Sequence, residues 1–141
     1  MATDDGAGAW TLTTVTGADT LTQVHALVEE MMSAGRVEDT DRFPFEIAVA
    51  EIAANIIEHA ALGRAVSMSL QLRALPERLE AEFTDEGRPA RVDLGAVELP
   101  DALAERGRGL AIAMAALDEL SYRRRGGINR WVLVRERAEP R

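Results

Sequence analysis

The segment Phe45-Glu-Ile-Ala-Val-Ala-Glu-Ile-Ala-Ala-Asn-Ile-Ile-Glu-His59 constrains this chain more than any other. Wound as a helix it is apolar in most directions, and a helix apolar on most sides is buried on most sides. Other elements must therefore wrap it. Nearly everything off one narrow polar stripe is Ala, Val, Ile or Phe. With Glu51 at zero and about 100° per residue, Asn55 falls at about +40°, Glu58 at about −20° and His59 at about +80°. Such a stripe is either the solvated edge of a core helix or the wall of a pocket. In a pocket, Glu51 offers a carboxylate near water and Asn55 a neutral oxygen for a hard cation. Mg²⁺ suits that poverty of ligands, since it takes one or two from protein and fills the rest with water and phosphate oxygens. His59 reads as structural.

The rest of the chain supplies the wrapping. Trp10–Val15 alternates apolar residues with Thr, as a strand does. Asp19 or Thr20 opens a helix through Leu21, Val24, Leu27, Val28 and Met31 to Gly35. After a polar link over Arg36–Arg42, Phe43-Pro44 begins the long helix, Pro suiting a first turn, and Gly63 stops it after Leu62. Val66–Leu72 and Arg78–Thr84 read as strands joined by a turn at Pro76, with Val66, Met68, Leu70 and Leu72 on one face. Asp85–Pro100 reads as loop, Pro100–Glu105 as a short helical turn, and Gly109–Leu117 as an apolar helix. Leu120–Arg124 and Asn129–Arg135 form a hairpin about Gly126-Gly127. This order predicts an α+β fold: a two-layer α/β sandwich with helices on one face of a mixed, mainly antiparallel sheet. Residues 9–137 make one domain, between a flexible tail at 1–8 and another at 138–141.

Composition then removes whole classes of function. There is no cysteine, which excludes disulfides, thiolate metal sites and Cys nucleophiles. There is no lysine either: all 16 basic residues are Arg. That excludes Schiff-base chemistry and the lysine of a P-loop. The formal charge of −8 argues against nucleic acid as a direct partner, because binding it needs a cationic face. Membrane surfaces are disfavoured on the same ground. With no signal-like run in Met1–Ala9, the expected location is cytoplasmic.

Two further motifs carry chemistry. In Phe83-Thr84-Asp85-Glu86-Gly87 a strand ends in an acid that can accept a hydrogen bond from a ligand amine, and Gly87 lets backbone come close. In Gly107-Arg108-Gly109-Leu110 glycines open a helix, whose free N–H groups attract anions. Each motif alone also fits an ordinary turn or helix boundary. Their order is more specific: Glu-x-x-x-Asn on a helix, strand-Asp-x-Gly about 30 residues on, a loop, then Gly-x-Gly-helix. This order resembles the Bergerat ATP-binding fold of the GHKL superfamily, which includes gyrase and histidine kinases and needs no P-loop lysine. Within it, the size, the Glu-x-x-x-Asn-x-x-x-His pattern and the Gly-Arg-Gly-Leu helix look most like the small bacterial anti-sigma factor serine kinases.

The resemblance, over about residues 10–136, implies roles. Glu51 would orient or deprotonate the attacking hydroxyl, and Asn55 would hold Mg²⁺ beside ATP. Asp85 would read the adenine amine, with Gly87 against the base. Gly107, Arg108, Gly109 and Leu110 would cradle phosphates, under an ATP lid at Val92–Arg106. It implies phosphorylation of a serine on a small anti-anti-sigma (STAS-type) protein, alternating with sequestration of a sigma factor. It also implies a homodimer, to which an exposed edge strand such as Trp10–Val15 could contribute. A binding-only regulator and an activator kinase of a partner-switching pathway are the alternatives. The chain departs from the family where Arg88 and Pro89 follow Gly87, and where Asn129-Arg130 replaces a threonine near the last strand.

Overall fold

The computed structural model describes residues 2–4, 8–60, 64–90 and 105–138, with backbone alone at 2–4, 59–60 and 105–108. Nine main elements follow in order: β1 (Ala2–Asp4), β2 (Ala9–Val15), α1 (Thr20–Ala34), α2 (Asp39–Asn55), β3 (Ser67–Ala74), β4 (Arg78–Asp85), α3 (Glu105–Ala116), β5 (Glu119–Arg125) and β6 (Ile128–Glu136). The strands form one sheet in the order β1-β2-β3-β4-β6-β5. Every described pairing is antiparallel, so among the described residues the sheet is antiparallel throughout and not mixed. The α+β architecture is the expected one. Among the described residues, no helix is long and apolar enough to cross a membrane.

Alternation decides what the sheet buries. In register across five strands run Trp10, Leu72, Ala81, Leu133 and Leu120, and beside them Leu12, Leu70, Phe83, Trp131 and Tyr122. These rows meet Val24, Leu27, Val28 and Met31 of α1 and Phe45, Ala48, Val49 and Ile52 of α2 in one core. Phe45, Ala48, Val49, Ile52 and Ala53 are fully buried, but Phe43 and Ile47, at 54% and 48% exposure, and Ala50 lie exposed on the other side, so α2 is covered on one face and not on most sides as its apolar girth predicts.

Three differences from the sequence reading have physical causes. First, Ala2–Asp4 is not a free tail but pairs with Trp10–Leu12, so over those residues β2 is no edge strand. Second, α2 starts at Asp39, a turn before Phe43-Pro44, and Pro44 lies inside it. Pro44 cannot donate to the Thr40 carbonyl, as an interior residue should. The Arg135 guanidinium donates to that carbonyl instead, at 3.0 Å, and this makes an interior proline tolerable. Third, Asp19 makes no side-chain cap; the Thr20 hydroxyl instead accepts the Gly17 N–H at 2.8 Å.

Beyond Asn55 the helix widens into one π turn, Ile56–Ala60, a distortion frequent at functional sites. Gly126 and Gly127 close the β5–β6 hairpin with φ of +59° and +79°, the two-residue turn that glycine permits. The expected lid at 92–106 and the helical turn at 100–105 lie almost wholly outside the described residues, as does the end of the long helix at 61–63.

Candidate functional site

The next cross-strand row of the inward face, at the carboxyl end of β4, reads Thr14, Met68, Asp85, Asn129 and Arg124. Apolar alternation is thus broken by polar residues on three adjacent strands at one level. Asp85 and Asn129 are paired in register and almost fully buried, at 2% and 1% exposure. Burying a carboxylate is costly unless donors surround it.

Those donors are few and well defined. Oδ1 of Asp85 accepts the Gly87 N–H at 2.8 Å and Nδ2 of Asn129 at 2.9 Å. The same Nδ2 also donates to the carbonyl of Arg88 at 2.8 Å and to that of Gly87 at 3.3 Å. The Asn129 amide cannot be turned round, because its Oδ1 already accepts from the Tyr122 hydroxyl and from Nη1 of Arg124. Arg124 Nη1 further donates to the Gly87 carbonyl, and the Ala90 N–H donates to the Tyr122 hydroxyl, both at 2.9 Å. Residues 85–90 are thereby clamped onto β5 and β6.

One atom is left over. Oδ2 of Asp85 is buried and has no hydrogen-bond partner among the described residues. An unsatisfied buried acceptor of this kind calls for a missing donor. Burial pushes the Asp85 carboxyl above the usual carboxylate range, against the pull of Asn129, the Gly87 N–H and Arg124. The orphaned oxygen fits the exocyclic amine of an adenine, which would both donate to it and favour its ionised form.

A second group lies on the helices. Glu51 and Asn55, one turn apart on α2, are both partly exposed. Their oxygens fit a cation held mostly by phosphate and water. Against Glu51 lies α3. It starts at Glu105, so Gly107, Arg108 and Gly109 sit within its first turns rather than ahead of it. Helix geometry leaves the Gly107 N–H free and commits those of Gly109 and Leu110 to the helix's own ladder. Leu110 is a core residue at 7% exposure. The phosphate cradle expected over Gly107–Leu110 therefore narrows to the start of α3. A Cβ built on Gly109 would lie 2.6 Å from Oε2 of Glu51, so two motifs far apart in sequence touch.

The structure thus joins Asp85 with Gly87, and Glu51 with Gly109. Asn55 follows Glu51 on the same helix, and α2 lies over β4 and β6 and against α3. Among the described residues no hydrogen bond joins the sheet-end group to the helix group. Sequence reasoning missed Tyr122 and Arg124, and read Asn129 only as a departure from pattern. The available signal was Asn129-x-Trp131-x-Leu133, a polar residue at an inward position.

Comparison with known proteins bears on the family and the fold. The model of the histidine kinase-like ATPase domain family matches residues 15–135, and the chain belongs to that family. No curated protein sequence matches it. Among solved structures, the RsbU and RsbW domains of Rv1364c from Mycobacterium tuberculosis superpose with a TM-score of 0.60 at 16% identity, over 92% of this chain and 34% of that one. The chain therefore spans about a third of the length of that protein. The SiaB–SiaC complex from Pseudomonas aeruginosa gives 0.56 at 14% identity, over 89% of each chain. The histidine kinase domain of the blue-light activated kinase of Erythrobacter litoralis EL346 gives 0.52 at 20%, over 79% of this chain and 59% of that one. At these identities the likeness is one of fold.

Proposed function

From that family membership as premise, we propose that the protein is an ATP-dependent serine/threonine protein kinase that acts as an anti-sigma regulatory factor. The observation that carries nucleotide binding is the orphaned, buried Oδ2 of Asp85. An adenine amine would donate to that atom, with the base lying over Gly87. Phosphates would sit at the free N–H groups beginning α3, near Gly107. Mg²⁺, held by Asn55, would neutralise charge on the phosphate oxygens. Glu51, one turn away on the same helix, would take the proton of the attacking hydroxyl.

The substrate in this reading is a serine on a small anti-anti-sigma (STAS-type) antagonist, and the sequestered partner is a sigma factor. Support comes from the motif resemblance and from fold neighbours that include an RsbW domain and a protein solved in complex with SiaC. A homodimer and a cytoplasmic location belong to the same reading. Pairing of the two copies would not use the Trp10–Leu12 edge, which β1 occupies.

The test is transfer of the γ-phosphate of labelled Mg·ATP to the small antagonist that co-purifies with the protein. Glu51→Ala should cut transfer by roughly 10²–10⁴-fold, the usual worth of a positioned base, and leave nucleotide affinity close to wild type. ATP binding without transfer by the wild type would instead make the protein a nucleotide-binding regulator. A wild-type transfer rate in Glu51→Ala would remove Glu51 from the reaction.

A further inference from the structure

Gly109 occupies a position where glycine is a poor choice. It is the fifth residue of α3, inside the helix, where glycine is destabilising relative to alanine. Its N–H belongs to the helix's own ladder, so free donors for an anion lie before it. Its backbone conformation is not the left-handed one that needs glycine. Neither helix formation nor anion contact through its own N–H therefore accounts for the residue.

What accounts for it is the neighbouring helix. A methyl group at Gly109 would stand 2.6 Å from Oε2 and 3.6 Å from Cδ of Glu51. The carboxylate of Glu51 thus fills the space that any side chain at 109 would take. We propose that Gly109 is a positioning residue: the bare backbone of α3 is the seat that fixes where the Glu51 carboxylate sits. The proposal rests on the reading of Glu51 as the base, and it gives this glycine a role separate from phosphate approach. The seat also joins two parts of the reaction. The helix whose first turn faces phosphate is the helix against which the base rests.

The steric conflict is cheap for the fold and dear for the chemistry. The clashing atom ends a flexible side chain, so in Gly109→Ala the carboxylate swings away while the two helices keep their packing. The test uses Gly109→Ala and Glu51→Ala, singly and together, in the full chain. In the Glu51→Ala background the seat is empty, and Gly109→Ala should raise Tm by roughly 2–4 °C through helix propensity. With Glu51 present the same substitution should raise Tm clearly less, because the carboxylate must be displaced. Affinity for Mg·ATP should stay within about twofold of wild type, since the N–H of residue 109 is not a free donor. Phosphoryl transfer should fall at least about tenfold, within the worth of a well-placed base. In the Glu51→Ala background Gly109→Ala should cause no further loss.

Equal Tm changes in the two backgrounds would show that the carboxylate is not in the seat and would overturn the proposal, whatever the activity. Unequal changes with a wild-type transfer rate in Gly109→Ala would overturn the positioning role. Unequal changes in a protein whose wild type transfers no phosphate would sustain the seat and refute the kinase reading.

Discussion

Replacing Asp85 by Asn should separate ligand recognition from folding, and the structure dictates how. Oδ1 of Asp85 accepts two donors, the Gly87 N–H and Nδ2 of Asn129. In the variant the amide oxygen must keep that position, because an NH₂ group there would face two donors. The amide nitrogen is therefore forced into the place of Oδ2, the buried acceptor without a partner. A ligand amine would then meet a donor where wild type offers a charged acceptor. Hydrogen bonds to charged groups contribute about 1.5–3 kcal/mol, so Kd for Mg·ADP should rise roughly 10- to 150-fold. The stabilisation conferred by a fixed excess of nucleotide should drop by about 1.4 kcal/mol or more. The apo protein should behave the opposite way. A buried carboxyl whose ionisation is disfavoured is exchanged for a neutral group of the same shape, so stability at neutral pH should hold or rise. Calorimetry with Mg·ADP and with a purine nucleotide lacking the exocyclic amine, beside apo melts, reads both effects. Wild type should discriminate between the two ligands and Asp85→Asn should not. Binding of Mg·ADP by the variant within twofold of wild type would refute the assignment of the base pocket.

Because the Asp85 carboxyl titrates above its ordinary range, the folded protein holds that proton more tightly than the unfolded chain does. Its contribution to apo stability is therefore full below the ordinary carboxylate range, about pH 4, and is lost as pH rises through the raised value. Nucleotide affinity should run the other way, weakening as pH falls through that value, and Asp85→Asn should lack this component in both titrations. Asn55→Ala should weaken binding in the presence of Mg²⁺ and leave Mg²⁺-free binding unchanged, since a methyl group cannot replace oxygen on a hard cation; equal affinity with Mg²⁺ would exclude Asn55 as a ligand. Arg135 pairs with the buried Asp41 at 3.1 Å and also holds the carbonyls of Thr40 and Ala116. Arg135→Ala should cost about 3–5 kcal/mol, and the double variant Asp41→Leu with Arg135→Met should cost less than either single change; denaturant melts that give additive costs would contradict this.

Much of the fold was legible because periodicity is local. The girth of apolar residues on Phe45–His59 announced a core helix, and Phe45, Ala48, Val49 and Ile52 are fully buried, though Ile47 and Ala50 are exposed because nothing among the described residues covers that side. The alternation in Met68, Leu70 and Leu72 named the inward face of β3 correctly. The strand Ala2–Asp4 was not legible, since so short a segment acquires its conformation from its partner, β2. Nor was the true start of α2. Pro44 looked like a first-turn residue, and only a guanidinium from the last strand satisfies the carbonyl that it leaves free.

The candidate site divides along the same line. Glu51, Asn55, Asp85 and Gly87 stand out in the sequence because each interrupts an apolar pattern or ends an element. Asn129 did not, because its meaning lies in register: it acquires a role only by standing opposite Asp85, 44 residues away. Tyr122 and Arg124 then fix which way its amide points. The contact of Gly109 with Glu51 is of the same kind, a distance between two helices that no spacing along the chain encodes. Sequence determined most of the core face of each element and which polar groups are costly to bury, for both follow from chemistry and local period. Tertiary structure decided which polar groups satisfy one another, and so left the buried Oδ2 of Asp85 without a partner among the described residues.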